Sequence, residues 1–216
     1  MNTKSNYVLS LDISTTTIGI ALFEDLGDSF KLKLLHHVSP NIKPKPTNKL
    51  EESFLKVELF EEEFLLKYKG FGITKVIIEE PLLQSNNVNT VASLLGFNRM
   101  IAKSVYEILG IVPQLISSYD ARKFAFPELM AIRKTKKNGE ALTEKEISKN
   151  KPVLFGGYSY TVDKKYVLWE KVSELEPQIT WFFDKKNKLK KENFDMSDSY
   201  VVGLAYFNQR KLGLLK

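Results

Sequence analysis

The strongest constraint in this chain is a single acid inside an apolar run. Tyr7-Val-Leu-Ser-Leu-Asp12-Ile13 reads as a β-strand that is hydrophobic on both faces except at Asp12. A strand of that kind is expected in the middle of a sheet with both faces covered. A carboxylate placed there is costly unless it is paired, hydrogen-bonded or bound to a metal. The sequence therefore predicts a layered fold and marks one strand as the carrier of its chemistry.

The remaining pattern extends that reading. Thr17 to Phe23 and Phe30 to Val38 are further strands, the first joined to Tyr7–Ile13 by the turn Ser14-Thr15-Thr16. Pro40, Pro44 and Pro46 mark a loop. Lys49 to Tyr68 then reads as a helix, because Leu50, Phe54, Val57, Phe60, Phe64 and Tyr68 recur at three- and four-residue spacing opposite an acidic face. Gly70 and Gly72 end it, and Ile73 to Ile78 is a β-branched run stopped by Glu79-Glu80-Pro81. Asn87 to Leu109 predicts an apolar helix ended by Gly110, and Ile111 to Ile116 the next strand. From Arg122 to Tyr160 periodicity fades among Pro127, Pro152 and Gly156-Gly157. Asp163 to Glu174 returns to helix, and Met196 to Leu212, preceded by Asp195, closes the chain as another. The order predicts an α/β fold with a mixed central sheet and helices on both faces. A length of 216 residues suits one domain, here with a basic insertion at about 127–160.

Composition narrows the chemistry. There is no Cys, which excludes disulfides, thiolate nucleophiles and Cys-ligated zinc and suits a reducing compartment. The two His, His36 and His37, are adjacent on a strand and point to opposite faces, so they do not form a shared metal site. A polar start and an apolar run broken by Asp12 give neither a signal segment nor a span, and a cytoplasmic protein of a bacterium or phage-infected cell is expected.

The net charge of +6 is concentrated. Residues 133 to 151 hold seven basic and three acidic side chains, and residues 184 to 192 hold five and two. Two Lys-rich segments thus carry the positive field, as a phosphate-gripping protein requires, with Lys134, Lys136, Lys137, Lys185 and Lys186 as candidate DNA contacts. Solvated loops are the alternative reading of such runs. Arg is scarce, at Arg99, Arg122, Arg133 and Arg210, which favours recognition of backbone or shape over base reading.

Two further acidic stations accompany Asp12. Glu79 and Glu80 close a short buried strand and point to opposite faces, so only one joins Asp12, and periodicity does not say which. Asp195 and Asp198 lie three apart at the start of the last helix, on one face within one turn. Alone that pair would serve as a helix cap. Joined to strand-end acids it matches what hard divalent cations require, which is oxygen ligands. Two such ions about 4 Å apart can activate a water and stabilise the leaving oxygen in phosphodiester hydrolysis.

Taken in order, Leu11-Asp12-Ile-Ser-Thr-Thr-Thr-Ile-Gly19, Val76-Ile-Ile-Glu79 and Asp195-Met-Ser-Asp198-Ser-Tyr-Val-Val-Gly-Leu-Ala205 resemble RuvC-type Holliday junction resolvases of the RNase H-like superfamily. The resemblance spans most of the chain. It implies Asp12, Glu79, Asp195 and Asp198 as catalytic ligands of two Mg²⁺ or Mn²⁺ ions, and it selects Glu79 over Glu80. It also implies a homodimer built on residues 88 to 109, DNA contacts from Arg122 and Lys123 in Ser118-Tyr-Asp-Ala-Arg-Lys123, and Lys164 and Lys165 as cations near the scissile phosphate. Departures are visible. The family's Pro-Gly after the Asp is replaced by Ile13-Ser14, closer to phage and viral relatives, and its base-stacking aromatic after the Glu by Leu82 or Leu83. Residues 127–160 exceed the family's connection, and Tyr158 and Tyr160 there could stack on bases.

The expected activity is symmetric nicking of four-way DNA junctions. Three alternatives stand beside it: a related nuclease for flap, hybrid or RNA substrates, an inactive binding module, and an actin- or Hsp70-like nucleotide-binding protein. Asp12-Ile-Ser-Thr-Thr also resembles a phosphate loop of that last class, which generally needs two lobes to enclose ATP.

Overall fold

The structure, a computed structural model, describes residues 6–81 and 88–215. Leu82, Leu83 and the expected helix start at Asn87 lie outside the described residues. Five strands form one mixed sheet: β1 (Asn6–Ile13), β2 (Ile18–Asp25), β3 (Phe30–Val38), β4 (Ile73–Glu80) and β5 (Gln114–Ser117), in the order β3-β2-β1-β4-β5. The first three are antiparallel neighbours, whereas β4 and β5 run parallel to β1. The strand carrying Asp12 is central, as its two-sided hydrophobicity predicts.

Alternation along β1 divides the core. Leu9, Leu11 and Ile13 face one cluster, which they share with Ile20, Leu22, Val76 and Ile78. Two helices cover that face: α1 (Lys49–Phe60, continuing through a π turn at Glu61–Leu65 and a last turn at Leu66–Tyr68) and α2 (Val88–Leu109). Asn48 caps α1 by accepting from the Leu50 amide. Its buried stripe begins only at Val57, since Leu50 and Phe54 are about half exposed. Val8, Phe23 and Ile77 face the opposite cluster, with α3 (Ser118–Ala125), α5 (Lys164–Leu175) and α6 (Glu192–Lys211). Helices therefore lie on both faces of the sheet. Among the described residues no helix is long and apolar enough to cross a membrane.

The Lys-rich stretches are more ordered than their composition suggests. Residues 130–154 leave and return through a two-residue pair, β6 (Met130–Ala131) against β7 (Val153–Leu154), and carry the short α4 (Glu144–Ile147) between them. Leu129 and Phe155 at its base are buried in the same cluster as α6. Arg133 donates to the carbonyls of Phe155 and Tyr158 and lies 4.1 Å from the Tyr160 ring centroid. Two tight turns expose the lysines: one between Thr135 and Ala141, the other between Phe183 and Leu189. Gly139 and Asn187 supply the left-handed backbone conformation these turns need.

Candidate active site

The acids meet at the end of the sheet because register and parity both require it. Leu11 pairs with Ile78 across the parallel β1–β4 ladder, so the next position sets Asp12 beside Glu79. Ser10 and Asp12 share the face covered by α6, where the Ser10 hydroxyl donates to the Ser199 carbonyl at 2.8 Å. Glu79 shares the face of Ile77, which belongs to the same cluster. Glu80 instead lines a separate cavity with Gln114, Ser117 and Asp120.

Helix α6 begins at Glu192, a turn earlier than the sequence reading places it, with no side-chain cap from Lys191. Asp195 is therefore in the first turn, and Asp198 lies beyond it, where a carboxylate caps nothing. Both are buried, at 9% and 4% exposure. Lys165 on α5 bridges them, with Nζ 3.5 Å from an oxygen of each. Arg122 on α3 reaches the other oxygen of Asp198 at 3.5 Å, while its buried Nε has no partner. The resemblance suggests Arg122 as a DNA contact, yet its guanidinium is turned inward onto this carboxylate. Lys164 points elsewhere, its Nζ lying 5.8 Å from the centroid of the Phe155 ring. Lys123 lies over Phe124, and Lys136 is paired with Glu140, while Lys134 and Lys137 line a groove with Tyr158 and Tyr160.

Four acids against two cations leave the site with excess negative charge, and Asp12, Glu79 and Asp195 are each held above the usual carboxylate range. Burial raises Asp12 well above the usual carboxylate range, and Glu79, Asp198 and Asp195 raise it further against the pull of Lys165. Burial and then Asp198 push Glu79 up to about 8, although Arg122 and Lys165 act the other way. Asp195 is raised by burial and held back by Lys165. Lys165 itself is raised: burial opposes its charge, but Asp198, Asp195 and Asp12 together outweigh it. Among the described residues, no three acidic or His side chains form a ready coordination sphere, and the Lys165 ammonium stands between two of the acids. The donors are nonetheless all oxygens, and their unbalanced charge is what a hard divalent cation relieves.

Three features of the site have weak signals in sequence. Gly19 pairs with Asp12 across β1–β2, and the backbone of Asp195 rests directly on it. Asn98 on α2, fully buried, donates to the Glu79 carbonyl at 3.2 Å from the opposite side of the sheet. The third is the turn after Asp12. The Ser14 hydroxyl donates to the Thr17 carbonyl and accepts from the Thr17 amide, and Lys56 donates to the Thr15 carbonyl. Its hydroxyl chemistry is thus used to close the turn, which weakens the phosphate-loop alternative.

No family model matches the sequence, and no curated protein matches it. Solved structures do match. Thermus thermophilus RuvC superposes with a TM-score of 0.54 at 13% identity, covering 97% of this chain and 98% of that one. The same protein in complex with a Holliday junction substrate gives 0.53 at 12% identity, with equal coverage. The fowlpox virus Holliday junction resolvase matches over 94% of this chain and 99% of its own, at 13% identity and a TM-score of 0.41. The chain has the RNase H-like fold of RuvC, along nearly its whole length.

Proposed function

We propose that this protein is a metal-dependent endonuclease that resolves four-way DNA junctions as a homodimer. The observation that carries the proposal is the gathering of Asp12, Glu79, Asp195 and Asp198 from two strands and a helix into one partly buried, over-acidic site. The shared fold of Thermus thermophilus RuvC, a protein solved with a Holliday junction substrate, supports branched DNA as the substrate class.

The four carboxylates would hold Mg²⁺ or Mn²⁺, and bound ions supply Lewis-acid charge and an activated water for phosphodiester hydrolysis. The chain's own groups do the rest. Asp12 and Glu79, one position beyond the Leu11–Ile78 pair of adjacent parallel strands, offer their carboxylates from neighbouring backbone positions. Arg122 fixes one oxygen of Asp198. Lys165, half exposed and anchored on two acids, is the cation placed to meet a phosphate entering the site. The lysines of the two turns supply phosphate contacts farther out, so affinity should fall steeply with salt. A two-fold dimer would present one such site to each of two opposed strands of a roughly two-fold junction.

The test is cleavage of a mobile four-way junction, a flap, a linear duplex and an RNA–DNA hybrid at matched concentration with Mg²⁺ or Mn²⁺. Paired symmetric nicks in the junction, at rates well above the other three, are expected. Equal rates on plain duplex would overturn junction resolution, and faster cleavage of hybrid or flap would assign the same site to another RNase H-like activity.

A further inference from the structure

The segment between α5 and α6 is built as a hairpin and is bolted to the site. Buried Asn193 accepts from the Phe182 amide at 2.9 Å and donates to the Phe182 carbonyl at 2.6 Å, two residues ahead of Asp195. Trp181 packs edge-on against Trp169, which packs against Tyr166, next to Lys165. The hairpin is thus fixed to α5 and α6, the helices that carry Lys165, Asp195 and Asp198. Lys191 at its foot is close enough to act electrostatically on Asp195.

Its tip presents two chemistries together. Asp184 shapes the turn by accepting from the amides of Lys186 and Lys188, so the only acid of the tip is spent internally. Lys185, Lys186 and Lys188 form no ion pair among the described residues. Phe182 is committed to His37, with ring centroids 5.1 Å apart. Phe183 points to the other side of the strand, is 46% exposed and has no ring contact among the described residues. Tyr160 and Tyr166, also exposed beside basic residues, are already engaged, Tyr160 by the Arg133 guanidinium on its ring and Tyr166 by the Trp169 ring.

An exposed aromatic held rigidly beside three free lysines fits a nucleic-acid strand whose bases are unstacked. Resting on the junction-nuclease reading, we infer that residues 182–190 form the element that enters branched DNA at the cleavage point. Phe183 stacks on a base exposed at the branch, and Lys185, Lys186 and Lys188 hold the phosphates beside it.

The test uses a four-way junction with 2-aminopurine at the branch point and the Asp12→Asn protein, chosen to bind without cutting. Binding should raise the fluorescence as the base leaves its stack. Adding Phe183→Ala should remove that rise while a gel shift still registers the complex, and Phe183→Trp should keep the base unstacked. In the cleaving protein, Phe183→Ala should slow junction cleavage by roughly tenfold, the size expected for one lost base–aromatic stack. An unchanged fluorescence rise and cleavage rate in Phe183→Ala would overturn the hairpin's role and leave the junction reading intact. If the parent protein neither prefers nor cuts the junction, that reading falls and takes the hairpin's role with it.

Discussion

Gly19 and Asp195 touch backbone to backbone: a Cβ placed on Gly19 would stand 1.9 Å from the Asp195 carbonyl oxygen. Gly203, two turns along α6, sits as tightly over Phe23 and the Ser10 hydroxyl. These contacts fix the height of α6 above the sheet. They therefore fix the separation between the helix-borne acids and Asp12.

Gly19→Ala should accordingly damage the site more than its size suggests. Overpacking of this kind costs about 1–3 kcal/mol, and each kcal/mol lowers the melting temperature by roughly 2–4 °C in a chain of this length. Displacing the acids by about 1 Å should cost a further factor of about 100 in cleavage. Gly203→Ala meets the edge of a Phe ring, which can yield, and should spare more activity. Thermal melting and junction cleavage on both variants check this, and parental activity in Gly19→Ala would contradict it.

If the proposed roles hold, with binding on the outlying lysines and hydrolysis on the acids, Asp12→Ala should leave junction binding measurable and reduce cleavage by at least about 100-fold. A gel shift and a nicking assay read the two separately. Cleavage at the parental rate would remove the metal-site reading.

The metal-free protein should lose stability as pH rises. Glu79 has a folded pKa of about 8 against an ordinary value of 4.5, so its favourable contribution is complete below about 4.5 and is lost as pH climbs through about 8. Glu79→Gln should raise the melting temperature of the metal-free protein by a few degrees at pH 8 and change it little at pH 5. Since cations must displace the retained protons, Mg²⁺ should stabilise the parent more at pH 8 than at pH 6, and the variant at neither. Scanning fluorimetry with and without EDTA checks both. A destabilised Glu79→Gln at pH 8 would contradict the charge accounting.

Two neighbouring lysines should behave differently. Lys165→Met removes the cation between Asp195 and Asp198 and should slow cleavage by about 100-fold. Lys164→Met should stay within a few-fold of the parent, since that side chain lies over Phe155. Single-turnover rates separate the two, and a larger loss at Lys164 would reverse the assignment.

Much of this architecture was readable because its signals are local. The β3 strand, Phe30–Val38, coincides with its apolar run, and the double-faced hydrophobicity around Asp12 identifies the central strand. Helix α3 was harder, since its short, basic sequence has too little periodicity. Its signal was Ser117 with Asp120 three residues on: the Ser hydroxyl accepts from the Asp120 amide and donates to its carboxylate. Periodicity left Glu79 and Glu80 equivalent, and only the resemblance chose between them; which of the two stands beside Asp12 follows from the register between β1 and β4, a long-range property that no window of sequence contains. Arg122 illustrates the same limit. The resemblance suggests a DNA contact, but its position on α3 makes it a partner of Asp198.

The excursion that begins after Ala131 and ends at Val153 departs and returns through one two-residue pair. The core residues Leu129 and Phe155 lie just outside those points, and neither β6 nor β7 joins the five-stranded sheet. The excursion is thus hinged at one point of the molecule, away from the strands and helix that carry the four acids.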